Sequence, residues 1–244
     1  MTGSVVAVAV SGDTAVIGAW RDDDGGDNSG SAYVFTRMGG VWSQQAKLTA
    51  SDASAGDYFG YAVAVSGDTA VIGAYFDDDG GTNSGSAYLF TRTGGVWSQQ
   101  AKLTASDPAA NDFFGIAVAI SGDMAVIGSF VDDDGGTDSG SAYVFDLSHP
   151  LIVMTSGTGG GNIASNPSGI DCGLTCEASF APSTVVTLTA TADLGSTFTG
   201  WSGDVVTTTN PITLTMDGAK AITATFALNQ YTLTLSAAPA KGAQ

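Results

Sequence analysis

The sequence predicts an all-β protein, and three observations support this prediction. Glycine accounts for 34 of the 244 residues and only 13% of the residues are charged, which is typical of turn-rich β proteins and not of helical domains. Short stretches of alternating apolar and polar residues are separated by Gly, Asn, Asp and Ser, as in strands joined by tight turns. Part of the sequence also recurs with a fixed period, which indicates a repeat architecture.

The repeat has a period of 55 residues, because Ser11–Ala50 returns as Ser66–Ala105 and, less completely, from Ser121 onward. The first two copies are identical at 35 of 40 positions. Such likeness indicates recent duplication, so a residue that the copies share need not be functional. The five differences are Trp20/Tyr75, Arg21/Phe76, Asp27/Thr82, Val34/Leu89 and Met38/Thr93.

Each period contains four predicted strands, and four strands repeated radially form the blades of a β-propeller. The breaks between them, such as Ser66-Gly67-Asp68 and Gly94-Gly95, hold residues that tolerate left-handed turns. Residues 1–147 therefore predict a partial β-propeller of about three four-stranded blades. In the second copy the predicted strands are Tyr61–Val65, Thr69–Ala74, Ser86–Thr91 and Val96–Thr104.

Both outer copies are predicted to be incomplete. The first has Ser4-Val5 where the later copies have Phe-Gly, and the third ends at Val144-Phe145 without a Trp-Ser-Gln-Gln strand. Propellers typically carry about four to eight blades. We therefore expect this chain to be part of a larger protein.

A second module follows His149-Pro150, where the composition changes from Asp-rich to Thr-rich. Residues 148–228 predict a small all-β module, β-grasp-like or sandwich-like, and residues 229–244 the start of a further repeat. His149 itself is interpreted as a solvated linker residue. The predicted strands are Leu151–Thr155, Glu177–Phe180, Val185–Ala190, Ser196–Trp201, Pro211–Met216 and Ala221–Phe226.

The charge and the scarcity of reactive side chains exclude several classes of function. Twenty-four acidic residues against seven basic ones give a net charge of -17, which disfavours nucleic acids and anionic membranes as partners. No apolar run reaches the about 18 residues that a membrane span needs, so no membrane insertion is predicted within this chain. One His and two Cys leave few ways to build a nucleophilic or zinc site. We therefore predict that the protein is not an enzyme.

Three acidic loops, at residues 22–30, 77–85 and 132–140, could bind Ca²⁺, which takes about six to eight oxygen ligands. Adjacent carboxylates repel each other, and a divalent cation would relieve that repulsion. Asp, Asn, Ser and Gly are also turn formers, and this structural interpretation is the preferred one. The candidate ligands are Asp22, Asp24, Asn28, Asp77, Asp79, Asn83, Asp132, Asp134 and Asp138.

Cys172 and Cys176 are four residues apart, which allows a disulfide if the chain turns between them. A structural disulfide is favoured over a redox or metal role and implies an oxidising, extracytoplasmic compartment. The repeated aromatic residues have two interpretations as well, sugar-stacking platforms or core packing, and core packing is favoured. They are Trp42, Trp97, Trp201, Tyr33, Tyr88 and Tyr143.

Over residues 4–147 the motifs resemble the FG-GAP repeats of integrin α-chain propellers and of many bacterial surface proteins. Integrin-type repeats carry a calcium loop before the Gly-Ala strand, where this chain has only the turn Ser66-Gly67-Asp68-Thr69. The resemblance therefore does not imply a calcium site in this chain. The motifs are Phe59-Gly60, Phe114-Gly115, Val71-Ile72-Gly73-Ala74 and Ser84-Gly85-Ser86-Ala87-Tyr88-Leu89-Phe90.

Residues 150–228 resemble the divergent internalin-type B repeat of bacterial surface proteins, and Gln230–Leu235 is similar to the opening strand of another copy. The matching segments are Asn166-Pro167-Ser168, Gly169-Ile170-Asp171-Cys172-Gly173, Phe198-Thr199-Gly200-Trp201-Ser202-Gly203, Met216-Asp217 and Thr223-Ala224-Thr225-Phe226.

Together the two resemblances imply a bacterial secreted or cell-surface protein, with any secretion signal expected outside this chain. They imply a non-enzymatic binding or adhesion module for protein or glycan ligands, in which weak contacts of repeated modules add through effective concentration. Two alternatives stay open. The chain could be an accessory region of a secreted hydrolase, or a structural spacer without a ligand.

Overall fold

The computed structural model describes residues 5–172 and 176–231, and this part of the chain consists of strands and turns. The all-β prediction is confirmed. Within the described ranges there is no helix that is long and apolar enough to cross a membrane. The chain forms two compact units, one built on the residues up to Pro150 and one on most of the residues after it.

The first copy forms an antiparallel sheet of four strands in the order β1-β2-β3-β4. Gly12, between the first two strands, has a φ of 56°, the left-handed conformation that a tight turn requires and that glycine adopts without strain. This copy was expected to be incomplete, yet it has all four strands. They are β1 (Val5–Ser11), β2 (Thr14–Ala19), β3 (Ser31–Met38) and β4 (Val41–Leu48).

The second copy repeats this sheet in the order β5-β6-β7-β8. Its observed strands lie within two residues of the predicted ones at every end. They are β5 (Ala62–Ser66), β6 (Thr69–Ala74), β7 (Ser86–Thr93) and β8 (Val96–Leu103).

The third copy forms a sheet of only three strands, in the order β11-β10-β9. No fourth strand joins this sheet within residues 5–172 and 176–231, in line with the absence of the Trp-Ser-Gln-Gln segment. Strand β11 is therefore an edge strand, whereas its counterparts β3 and β7 are paired on both sides. The three strands are β9 (Ala117–Ser121), β10 (Met124–Ser129) and β11 (Ser141–Asp146).

Apolar residues of successive sheets pack against each other. Between the first two sheets lie Val16 and Val34 on one side and Ile72, Tyr88 and Phe90 on the other. Burial of such side chains removes apolar area from water and is the main stabilising contribution to a propeller-like stack. A second cluster joins the next pair of sheets through Val71, Leu89, Ala125, Ile127 and Phe114.

The Phe-Gly motif fits between neighbouring sheets. Phe59 and Phe114 are fully buried, and the N–H of Gly115 donates to the Gly128 carbonyl at 3.0 Å. A Cβ added to Gly73 would overlap the Gly115 carbonyl oxygen, so the glycine of the Val-Ile-Gly-Ala motif is required by close backbone approach.

The second unit contains two sheets, in the orders β14-β12-β18-β16 and β13-β15-β17, with β12 and β18 parallel. These two sheets confirm that the described part of the module is all-β. Gly173 and the residues from 232 onward, which include most of the predicted further repeat, lie outside the described part. The strands are β12 (His149–Gly157), β13 (Gly161–Asn166), β14 (Glu177–Phe180), β15 (Val185–Ala192), β16 (Ser196–Gly203), β17 (Ile212–Thr215) and β18 (Lys220–Leu228).

Candidate functional site

The acidic loops connect the second and third strands of each sheet. Asn28, Asn83 and Asp138 have φ values of 53°, 53° and 51°, the left-handed conformation that Asn and Asp tolerate in turns. The Asn28 N–H donates to Asp23 Oδ1 at 2.8 Å, and its counterparts do the same. These three candidate ligands therefore lie at turn positions of their loops.

The aspartates of the second loop form what we call the second acid cluster: Asp52, Asp77 and Asp79, whose carboxylate oxygens lie within 4.8 Å of one another. The ammonium group of Lys102 lies between them, 2.8 Å from both Asp52 Oδ2 and Asp77 Oδ2 and in contact with Asp79. Tyr88 donates its hydroxyl to Asp52 at 2.9 Å and to Asp77 at 2.8 Å. A cation supplied by strand β8 thus compensates part of the negative charge of this cluster.

The first acid cluster, Asp22 and Asp24, has the same arrangement. Lys47 of strand β4 lies 3.2 Å from Asp22 Oδ2 and contacts Asp24, and Tyr33 donates to Asp22 at 2.6 Å. Burial acts to raise the pKa of Asp22, but the hydrogen bonds from Tyr33 and Lys47 outweigh it and lower the pKa. Lys47 is stabilised in its charged form, because its contacts with Asp24, Tyr33 and Asp22 raise its pKa against the effect of burial.

The third acid cluster, Asp107, Asp132 and Asp134, has the carboxylates but, among the described residues, no ion pair that corresponds to those of Lys102. Its oxygens also lie within 4.8 Å of one another, and Tyr143 donates to Asp107 at 2.8 Å and to Asp132 at 2.7 Å. One period after Lys102 the chain has Gly157, in a strand of the second unit. A hydrogen bond with Asp107 and the neighbouring negative charges raise the pKa of Asp134.

The clusters include two aspartates that the sequence interpretation missed. Asp52 and Asp107 lie after the fourth strand of the preceding copy, in the repeated segment Thr-Ala-Ser-Asp. Their recurrence together with the repeated Ala-Lys-Leu was a signal that could have identified them. Calcium binding by the acidic loops stays a prediction, and in the first two clusters a calcium ion would compete with a lysine.

Most of the aromatic residues considered from the sequence belong to the core. Tyr33, Tyr88, Trp97 and Trp201 are at most 9% exposed, which confirms the core interpretation for these four. Trp42 is 41% exposed, and the Arg37 guanidinium lies 5.5 Å from the centroid of its ring.

A second surface, which we call the aromatic row, crosses all three sheets at the ends of their second strands. Trp20 lies 4.6 Å from Tyr58, Tyr58 lies 5.0 Å from Phe76, and Phe76 lies 5.3 Å from Phe113, measured between ring centroids. Most of these rings are half-buried, and Phe130 is 57% exposed. The row consists of Trp20, Tyr58, Tyr61, Tyr75, Phe76, Phe113 and Phe130.

Two further features distinguish the aromatic row from the other residues of the three sheets. Tyr58 and Phe113 have φ values of 58° and 56°, a costly conformation for bulky residues and one that is enriched at functional sites. Two of the five differences between the first two copies, at positions 20/75 and 21/76, also lie here, and Arg21 stacks on Trp20 at 4.3 Å. The sequence interpretation missed this surface, although those differences pointed to it.

The disulfide prediction is confirmed in the second unit. Cys172 and Cys176 are bonded, with their Cα atoms 4.7 Å apart.

Comparisons with known proteins identify both halves of the chain. The family model described as FG-GAP repeat matches residues 6–35, 42–90 and 97–145. The model described as Divergent InlB B-repeat domain matches residues 153–230. A search of curated proteins found no match. Among solved structures, the computationally designed Ika4 protein matches 60% of this chain and 93% of its own length, at 14% identity and a TM-score of 0.28.

Proposed function

This chain belongs to the FG-GAP repeat family and continues into a divergent B-repeat domain, and from that premise we propose that it is a non-enzymatic adhesion or binding module of a secreted or cell-surface protein. Both kinds of module are typical of extracellular proteins. The disulfide between Cys172 and Cys176 fits an oxidising compartment.

The aromatic row is the observation that carries this proposal. Its rings lie side by side across three sheets and remain partly accessible. Aromatic rings offer large, rigid contact surfaces that combine apolar faces with polar edges, and they are enriched at binding hot spots. The net charge of -17 favours neutral or cationic ligands. We therefore propose that protein or glycan ligands stack on the row.

The acid clusters support a structural role over a catalytic one. Glycoside hydrolysis needs two carboxyl groups that face each other across the substrate. In the first two clusters the carboxylates converge on a lysine instead. Their repetition in successive sheets, each time with a tyrosine hydroxyl, is what a loop-anchoring device requires.

The test uses three equivalent positions of the row, Trp20→Ala, Tyr75→Ala and Phe130→Ala, combined in one chain. Trp42→Ala is the matched control, because it removes an exposed aromatic ring outside the row. Labelled protein is applied to a glycan array and to intact cells, after a thermal melt has shown that both variants fold. We expect the triple variant to lose at least about tenfold in affinity, which corresponds to about 1.4 kcal/mol, and the control to bind like the wild type.

Two results would contradict the proposal. Equal binding by the triple variant and the wild type would place the ligand elsewhere on the molecule. A wild-type chain that binds neither the array nor the cells would favour the ligand-free spacer.

A further inference from the structure

Among the described strands, none pairs with the third sheet on the edge where the first two sheets have a fourth strand. In the second sheet, β8 pairs with β7 in a fixed antiparallel register that places Lys102 opposite Tyr88 and Trp97 opposite Arg92. Strand β4 pairs with β3 in the same register, with Lys47 opposite Tyr33. Strand β11 is paired only with β10 in the described part of the chain. The backbone groups along its outer edge can therefore accept another strand.

The fourth strand of each of the first two sheets carries one charged residue, a lysine whose ammonium group contacts the acid cluster. The two lysines reach equivalent carboxylates, and each lies over the ring of the equivalent tyrosine, at 5.2 Å for Lys47 and 5.3 Å for Lys102. The third cluster keeps the matching groups: Asp132 is 2% exposed, and Tyr143 is hydrogen-bonded to it. The raised pKa of Asp134 is consistent with negative charge that is not fully compensated.

The neighbouring second sheet offers polar partners as well. Between the first two sheets, Gln99 of β8 exchanges hydrogen bonds with Ser51, through Oε1 to the Ser51 N–H at 2.9 Å and through Nε2 to Oγ at 3.0 Å. The Trp97 indole N–H donates to Gln45 Oε1 at 3.0 Å. One period later these two partners are Ser106 and Gln100, and both are exposed.

We propose that the free edge of β11 binds an extended peptide strand of another polypeptide, antiparallel to β11, whose lysine enters the cluster of Asp107, Asp132 and Asp134. Backbone hydrogen bonds to the edge would supply affinity, and the lysine would supply register and specificity. This site is separate from the aromatic row, so its test does not depend on the proposed ligand of that row.

The probe is a fluorescein-labelled synthetic peptide with the sequence of residues 94–104, which contains β8 and its flanking residues. Its binding to the full chain is followed by fluorescence anisotropy at low and at high salt. We expect saturable binding that weakens with salt. We also expect binding to weaken by about tenfold or more when the lysine of the peptide is replaced by Gln, because a charge-assisted contact with a buried carboxylate is lost.

Matched variants of the chain locate the site. Asp134→Asn removes a carboxylate from the third cluster, and Asp79→Asn removes the equivalent one from the cluster that Lys102 fills. We expect the first variant to bind the peptide several-fold more weakly and the second to bind it like the wild type. Hydrogen exchange should show new protection of the amides of residues 141–146 when the peptide is present.

Three results would overturn the proposal. One is no saturable binding at millimolar peptide. Another is equal affinity for the Lys and Gln peptides. The third is self-association of the chain, measured by sedimentation, that the peptide disrupts, because a second copy of the chain would then be the occupant of this edge.

Discussion

Replacing Lys102 by Met should destabilise the first unit by about 2–3 kcal/mol. The Lys102 side chain is 18% exposed and meets Asp77, which is 3% exposed, and two partners, Asp52 and Asp79, which are 42% and 62% exposed. Loss of one partner of a buried ion pair costs about 3–5 kcal/mol. The two exposed carboxylates are hydrated again once the lysine is removed, so only Asp77 bears the full loss and the cost lies at or below the lower end of that range. For a chain of this size that corresponds to a decrease in Tm of about 5–10 °C.

Thermal melts followed by circular dichroism measure this effect, with Lys47→Met as the matched control. Lys47 is 31% exposed and contacts two carboxylates, so its loss should cost less, about 1–2 kcal/mol. The lysine-free second cluster should also respond to calcium, because three uncompensated carboxylates lie within 4.8 Å. Millimolar Ca²⁺ should therefore raise the Tm of Lys102→Met by more than that of the wild type.

Two outcomes would refute the reasoning about Lys102. If Lys102→Met melts within a degree of the wild type, the ammonium group does not stabilise the cluster. If Ca²⁺ shifts the wild type and both lysine variants equally, the lysine is not what occupies the cation position.

Two further predictions concern a buried acid and a close backbone contact. Asp57 is 7% exposed, and burial raises its pKa to about 6 from the usual 3.8. The protonated Asp57 carboxyl group therefore contributes fully to the free energy of unfolding below about pH 4. As the pH rises through about 6 the group ionises, and the free energy of unfolding falls by about 3 kcal/mol. Asp57→Asn should accordingly gain Tm relative to the wild type between pH 4 and pH 7, and a difference that is flat with pH would contradict this assignment. Gly73→Ala should cost about 3 kcal/mol in urea unfolding, because its Cβ would overlap the next sheet. Gly128→Ala, whose Cβ would lie 3.6 Å from Ala117 Cβ, should be nearly neutral, and equal costs would disprove the steric explanation.

The fold of the repeats could be predicted because the residues within each strand, and the turn residues that flank it, indicate a strand without knowledge of its tertiary contacts. Short runs rich in apolar, β-branched and aromatic residues define β6 and β7, and the Gly-Asp turn between β5 and β6 fixes the connection of those two strands. Strand β13 was missed because Gly161–Asn166 contains only one large apolar residue, Ile163. Its place is determined by pairing with β15 across the sheet, a tertiary contact with no local pattern of its own.

The candidate sites were harder to predict, because their members come from different strands and different copies. Asp52 and Asp77 are separated by 25 residues and by two strands of the second sheet, yet they share one lysine. Sequence adjacency drew attention to Asp22-Asp23-Asp24, whereas the structure turns Asp23 back onto the backbone of its own loop. Adjacent acids on a turn point in different directions, so spacing alone could not show which carboxylates converge.

Near-identity of the copies makes the remaining differences informative. The lysine, the tyrosine and the carboxylates recur because each cluster ties an acidic loop to the fourth strand of its own sheet. In the third sheet the loop and the tyrosine persist, but the residues that the structure describes include no fourth strand that would bring the lysine. In the first two copies, the carboxylates, the tyrosine and the lysine of each cluster are all provided by the chain itself. In the third copy, the carboxylates and the tyrosine are arranged to bind a cation and lie beside the unpaired edge of β11. The peptide site that we propose therefore needs no new residue, because the repeated carboxylates and tyrosine already provide its groups.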